Sequence, residues 1–421
     1  MGDSENNTTS KKECIYPKWI KAELFEDVLK EVEPEFKQVL LFTIDYALAP
    51  GENYNTIMLK PQFEIKLNDD STKTVSFMMK VGQDTELYRE MLKPHNVFDV
   101  EMGIYTDVIP ELQEMFLDAG LNVRFSPKAY KLPTDEMHML LENLKTKGFR
   151  NSNRLEGLDM KHTKCVLQKL AQWHAASAVR VATKGRYPDY IAKGYIKPQC
   201  YEIVKGLYEN SKQVLLQCIK EYSNSDRYYD KVVQLQNNIV DELYKTIERE
   251  EDGDVFKVLT HGDIWSNNIM FKYDEDKGEV LETYFVDFQT PRYTSPAPDL
   301  LYFILSSCKY EIKLEKFDYL VAFYHKHLIE NLRLLKYAKY VPTLKDIHYM
   351  VYRHGVWGYA TVTIVMAAAL CDPCKNADLS NILSESENAT IFRRQMYSNP
   401  RYRKHMEAIL PWLLNRGLLD C

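Results

Sequence analysis

The chain has 421 residues, 45% of them apolar and 27% charged, with a formal net charge of −6. This composition describes a globular chain longer than one ordinary hydrophobic core, so two domains are expected. The acidic balance excludes the broad basic surface that nucleic acid or an anionic membrane requires, so any phosphate has to be met by local groups.

Met1 to Glu13 is polar throughout and has no apolar core, so no secretory signal is expected, and Asn6 stands where N-myristoylation requires Ser or Thr. The longest apolar run, Val356 to Cys371, has 16 positions and is too short to span a bilayer. The expected location is the cytoplasm, with the eight scattered cysteines reduced. Cys371 and Cys374 form the one close pair and read as incidental thiols at a helix end, since no second pair or His stands nearby.

Pro17 to Val32 carries Trp19, Leu24, Phe25, Val28 and Val32 between charges and predicts an amphipathic helix. Strands follow at Val39 to Leu48, Thr56 to Leu67 and Thr74 to Val81, the last two joined by a hairpin turn at Asn68 to Ser71. Phe98, Met102, Tyr105 and Ile109 recur at helical spacing, and Met137 to Asn143 is a short apolar strand. From Asp159 the pattern is helical, over Pro198 to Tyr222, Tyr229 to Glu250, Leu314 to Leu335, Leu344 to Cys371 and Arg401 to Leu414, with His174 read as a core histidine. The domains expected are an N-terminal extension (1–34), a small sheet-bearing lobe (35–144) and a large helical lobe (145–421).

One stretch of the large lobe is not helical. It reads H-G-D-I-W-S-N-N-I-M-F from His261, and two apolar runs flank a turn at Asp274 to Gly278, which predicts a hairpin. Asp263 and Asn268 lie before the first strand of that hairpin and Asp287 closes the second. An amide and two carboxylates at one edge suit a hard divalent cation such as Mg²⁺ and suit zinc poorly. The chemistry that uses such a set is phosphoryl transfer: Asp263 orients an acceptor hydroxyl and takes its proton, while Asn268 and Asp287 hold the metal on the nucleotide phosphates. His261 is a further candidate for the catalytic set, or an imidazole hydrogen-bonded to nearby backbone.

His261, Asp263, Asn268 and Val286-Asp287-Phe288 resemble the catalytic and metal-binding segments of the protein-kinase-like superfamily, in its aminoglycoside- and choline-kinase branch. With S-P-A-P-D-L at Ser295 to Leu300, the wording is closer still to the insect ecdysteroid-kinase-like family. The resemblance implies an α+β, two-lobed protein-kinase-like fold that uses ATP and Mg²⁺. It implies a phosphate-covering loop at Gly51, Asn53 and Tyr54, and a phosphate lysine at Lys80, in preference to Lys60 or Lys66. Glu101 is implied as that lysine's partner, the alternative being a solvent-facing glutamate. Glu142, Asn143 and Leu144 are implied as main-chain contacts to adenine, and Asp299 as a brace for the catalytic loop. The implied acceptor is a small, largely apolar alcohol such as a hydroxylated steroid. A choline- or aminoglycoside-type kinase and an inactive nucleotide-binding pseudokinase are the alternatives. Only eleven residues, three of them prolines, separate Asp287 from Asp299, which leaves no room for the activation segment of a protein kinase, so no protein substrate is expected.

Overall fold

The structure, a computed structural model, describes residues 16–47, 56–82, 97–194, 196–251, 256–372 and 386–420. The chain is α+β, and its contacts group into two units, 1–83 with 129–143, and 84–128 with 144–421.

The smaller unit is one antiparallel sheet with a helix. A single 3₁₀ turn (Ala22–Phe25) leads into α1 (Glu26–Val32), so the helix starts later than the hydrophobic pattern from Pro17 predicts. The strands are β1 (Phe36–Tyr46), β2 (Thr56–Leu67), β3 (Thr72–Gly82), β4 (Ala129–Tyr130) and β5 (His138–Glu142), in the order β1-β2-β3-β5-β4. Between β2 and β3 the Asp69 carboxylate accepts the Ser71 N–H at 2.9 Å, and Asp70 takes a φ of 64°, which closes the hairpin. Along β3, Val75, Phe77, Met79 and Val81 are buried at every second position, as a strand with one core face requires. They share a core with Phe25, Val28 and Leu29 of the first turns, and the Phe42 and Phe63 rings stack at 4.8 Å. The N-terminal helix is therefore part of this unit rather than an extension to it.

The larger unit begins with α2 (Val97–Gly103), a wide π turn (Ile104–Val108) and α3 (Ile109–Asp118). The sequence division grouped this segment with the sheet. Its side chains are committed to the long helix α4 (Met160–Lys184): Phe116 packs on Phe125, Phe125 on Trp173, and Glu111 pairs with Arg180 at 3.0 Å. Asp159 caps α4 by accepting the His162 N–H. After β6 (Phe149–Arg150) and α4 come α5 (Asp189–Ala192), α6 (Tyr201–Lys220), α7 (Tyr229–Glu251) and β7 (Val258–Leu259). The expected hairpin is β8 (Ile269–Tyr273) with β9 (Val280–Phe285), and β6 adds a third strand to it. Next are β10 (Tyr293–Thr294), α8 (Ala297–Ser307), α9 (Tyr310–Lys313) and α10 (Phe317–Leu334).

The run read as one helix from Leu344 to Cys371 is three: α11 (Leu344–Arg353), α12 (Gly355–Ala360) and α13 (Met366–Leu370), with a π turn at Thr361–Val365. The break falls at His354, and Gly355, which opens the next helix, packs so closely on the C-terminal segment that a Cβ there would lie 2.7 Å from Leu418 Cδ2. Arg154 closes α13 by donating to the carbonyls of Ala369 and Cys371 at 2.5 and 2.6 Å. α14 (Glu387–Tyr397) and α15 (Pro400–Asn415) complete the unit. Among the described residues no helix is long and apolar enough to cross a membrane.

Candidate active site

The H-G-D stretch is held in place from below before any of its polar side chains is positioned. Helix α4 grips β7: Trp173 Nε1 donates to Leu259 O at 2.6 Å, and Ser177 Oγ accepts the Leu259 N–H at 2.9 Å. The next residue, Thr260, pairs its N–H with Arg292 O at 2.8 Å, which ties the loop to the segment that follows β9. Asp299, in the first turn of α8 and 1% exposed, then collects the loop backbone. Its Oδ2 accepts the His261 N–H at 2.7 Å and its Oδ1 accepts the Gly262 N–H at 3.0 Å. A buried carboxylate is costly unless its lone pairs are used. Here His174 Nε2 at 3.1 Å supplies a third contact, and the Tyr324 hydroxyl holds the other nitrogen of His174 at 2.8 Å. His174 is thus a core histidine, as read, but one that bears on the loop through Asp299, a link that sequence spacing could not show across 125 residues.

Gly262 has φ +82°, and a Cβ there would stand 2.0 Å from the Thr290 carbonyl oxygen. No other residue type fits between Asp299 and Thr290. Both ring nitrogens of His261 are engaged with backbone: Nε2 donates to Val286 O at 3.2 Å and Nδ1 accepts the Asp263 N–H at 3.3 Å. Burial pushes its pKa below the usual histidine value, against the pull of the Asp299 and Asp287 charges, so the ring is neutral. With no nitrogen left for a substrate, this geometry assigns His261 to the scaffold of the loop.

Asp263 is half-buried. Asn268 Nδ2 donates to its Oδ2 and to its carbonyl oxygen, each at 2.9 Å. These bonds use the amide nitrogen and leave Asn268 Oδ1 as the acceptor. The β8–β9 ladder brings in the remaining carboxylate: Ile269 faces Phe285, Val286 N–H donates to Asn268 O at 3.0 Å, and Asp287 follows directly. Asp287 sits at φ 69°, a left-handed conformation that a non-glycine residue adopts only when its surroundings hold it there. Tyr105 packs edge-on against Phe288 at 5.6 Å, and its hydroxyl is buried without a hydrogen-bond partner among the described residues. Burial, then the charges of Glu101 and Asp287, hold that phenol well above its usual pKa.

Three or more His, Cys, Asp or Glu side chains gather at no point among the described residues, so a metal cage built wholly of protein is absent from them. Asn268 and Asp287 instead offer two hard oxygens at one end of a hairpin. That set fits Mg²⁺, which keeps water and takes phosphate oxygens in addition to one or two protein ligands.

The other site candidates are distributed as follows. Lys80 is 5% exposed on β3, opposite Met58 of β2 and Met139 of β5. Glu142 ends β5 opposite Phe77, and Asn143 donates to Ser76 Oγ at 2.9 Å. These three stand in the smaller unit. Glu101 (2% exposed) and Leu144 stand in the larger one, where Glu101 accepts from Gln289 Nε2 at 3.3 Å and Leu144 packs with Phe149, Met270 and Tyr284. The solvent-facing alternative for Glu101 is thereby removed. Gly51, Asn53 and Tyr54 lie outside the described residues. Among aromatic and methionine side chains of the larger unit, Phe303, Tyr324, Tyr359 and Met366 are fully buried in the core, whereas Trp265, Tyr302, Tyr352 and Trp357 keep some exposure. Tyr302 has a role that its place in an apolar helix concealed: its hydroxyl donates to Asp263 Oδ1.

Among solved structures, the chain resembles a Plasmodium vivax ethanolamine kinase at 13% identity and TM-score 0.38, covering 86% of this chain and 83% of that one. It also resembles a choline kinase from Streptococcus pneumoniae at 12% identity and TM-score 0.41, covering 89% and 97%. A choline/ethanolamine kinase family protein from Mesorhizobium loti matches at 9% identity and TM-score 0.31, covering 85% and 93%. No curated protein matches the sequence. The model of the ecdysteroid kinase-like family matches residues 50–337, more than half of the chain and all of the site built above. The chain therefore belongs to the ecdysteroid kinase-like family.

Proposed function

We propose that the protein is a small-molecule kinase that transfers the γ-phosphoryl group of ATP to a hydroxyl of a small, largely apolar acceptor. The observation that carries this reading is the joint placement of Asp263, Asn268 and Asp287: the amide of Asn268 is bonded to the Asp263 carboxylate, and its backbone is bonded beside Asp287. MgATP bound here would supply the phosphoryl group together with a cation to offset its charge. Asn268 Oδ1 and the Asp287 carboxylate would hold that cation. Asp263 accepts the hydrogen of the acceptor hydroxyl, orients the oxygen toward the phosphorus, and takes the proton as the O–P bond forms and ADP leaves. Asp299, His174 and His261 keep the loop rigid, so that the carboxylate needs little reorganisation. By family resemblance Lys80 and Glu101 serve the phosphates, Gly51, Asn53 and Tyr54 cover them, and main chain at Glu142, Asn143 and Leu144 meets the adenine.

The short link from Asp287 to Asp299 supports a small acceptor over a protein, and the half-exposed Trp265 and Tyr302 beside the base support an apolar one. Incubation with γ-labelled ATP, Mg²⁺ and separate pools of ecdysteroids, apolar alcohols, choline and ethanolamine, aminoglycosides and proteins tests the reading. Label on an ecdysteroid or apolar alcohol is the expected result. Label on protein alone, or on a cationic acceptor alone, contradicts it.

A further inference from the structure

Helix α8 presents Asp299, Tyr302 and Ser306 at spacings of three and four, which places them along one face. Two of these side chains, with the adjacent Ser307, meet successive parts of the same loop. Asp299 takes the N–H groups of His261 and Gly262, the Tyr302 hydroxyl donates to Asp263 Oδ1, and Ser307 Oγ accepts the Ser266 N–H at 3.0 Å. Ser306 Oγ bonds both Tyr302 O at 2.7 Å and Ser307 Oγ at 2.9 Å, so the series is internally linked. Backbone bonds from Asp299 and Ser307 are enough to fix the course of the loop. A phenol on the reacting carboxylate serves a different end.

We infer that Tyr302 is a positioning residue for the phosphoryl-transfer reaction, setting the orientation of the Asp263 carboxylate through Oδ1. The two carboxylate oxygens of Asp263 are held from opposite partners, Asn268 Nδ2 on Oδ2 and Tyr302 on Oδ1. A carboxylate has about four lone-pair sites, so two donors lock its rotation and still leave a lone pair for the acceptor's hydrogen. Burial, and the negative charge of Asp263 beside it, hold the Tyr302 phenol well above its usual pKa, so it remains a donor at neutral pH. Without the Tyr302 hydroxyl, Oδ1 loses a donor that fixes the terminal torsion of the carboxylate, a torsion that is intrinsically soft. Misdirection of a reacting group of this kind reduces turnover without weakening binding.

This inference rests on the kinase reading, and the test separates the two. Tyr302→Phe removes only the hydroxyl from a half-buried ring. Initial rates are measured with MgATP, using ecdysone and, separately, water as acceptor, for wild type, Tyr302→Phe, Asp263→Asn and the double variant. The expected result for Tyr302→Phe is a fall in kcat of about tenfold or more, the scale of a hydrogen bond to a charged group, with KM for ATP and ecdysone within about twofold of wild type. In the double variant, Tyr302→Phe should add nothing to the loss caused by Asp263→Asn, since one residue acts through the other. Unchanged kcat in Tyr302→Phe, or independent multiplication of the two losses, overturns the inference while leaving the kinase reading intact. Where wild type does not use ecdysone, the best acceptor of the pools above takes its place; label on none of their small alcohols overturns the kinase reading and this inference with it, whereas full activity in Asp263→Asn overturns the role of Asp263 and this inference alone.

Discussion

Asp299 and His261 are 38 positions apart, yet the carboxylate of one accepts the backbone N–H of the other at 2.7 Å, and both residues are buried. The bond matters because three donors converge on that carboxylate, from His261, Gly262 and His174. Asp299→Ala strands all three inside the core. The expected cost is about 3–5 kcal/mol of stability, as for breaking a buried charge network, together with loss of turnover. Urea unfolding of the purified variant measures the first, and stability within 1 kcal/mol or so of wild type contradicts this account of the brace.

Gly262 and Gly185 offer a matched pair of substitutions. Both have positive φ, +82° and +87°, but a Cβ at Gly262 meets the Thr290 carbonyl at 2.0 Å, whereas at Gly185 it meets nothing within 4 Å. Gly185→Ala, at φ +87° and ψ −171° in a region essentially reserved for glycine, should therefore cost only the backbone strain, about 1–3 kcal/mol, and leave activity alone. Gly262→Ala should cost more than that and abolish turnover, because the loop must move to relieve the overlap. Calorimetric melting of both variants gives the comparison; equal losses would remove the close approach from the argument.

His405 gives a pH dependence outside the active site. Burial, then the charges of Lys313, Lys404 and Arg401, push its pKa down to about 2 from the ordinary 6.5. The folded protein therefore binds fewer protons than the unfolded chain between those two values. Stability is fully present above pH 6.5 and is lost as pH falls below it, by about 1.4 kcal/mol per pH unit from this one group. Lys313, pushed down to about 7 by burial, is protonated in both states below pH 6 and adds little slope there. Urea melts at pH 7, 6 and 5 should show His405→Asn with a shallower acid slope than wild type; parallel slopes would refute the assignment.

How much was legible in the sequence follows from the range of the interactions. Strand alternation and turn chemistry are local, so β2, β3, the Asn68–Ser71 turn and the 269–285 hairpin could be read directly. The site loop was legible because its residues carry a spacing that resembles a known family. Its supports were not: Asp299, named from resemblance alone, has His174 as a partner in a helix 125 residues away, and Tyr302 looks like any aromatic on an apolar helix. The close packing of Gly355 on Leu418, 63 positions away, was hidden for the same reason. The grouping of 84–128 depends on Phe125 meeting Trp173, which hydrophobic periodicity cannot foretell.

The metal assignment separates Asp287 from Asn268. In the proposed site Asp287 would bring a full negative charge to the cation and Asn268 only an amide dipole. Asp287→Ala should weaken Mg²⁺-dependent ATP binding more than Asn268→Ala, measured by titrating nucleotide at fixed Mg²⁺ and again in EDTA. Equal, undiminished affinity in both variants would contradict the assignment.

The central claim is that Asp263 handles the acceptor's proton while the cation is held by its neighbours. Asp263→Asn keeps the size of the side chain and removes the charge. Direct MgATP binding by calorimetry, alongside single-turnover phosphate transfer to the best acceptor of the pools, measures this claim most directly. The account expects nucleotide affinity close to wild type and transfer slower by ~10² or more, the scale of general-base catalysis. Transfer at the wild-type rate, with nucleotide bound as before, would contradict it.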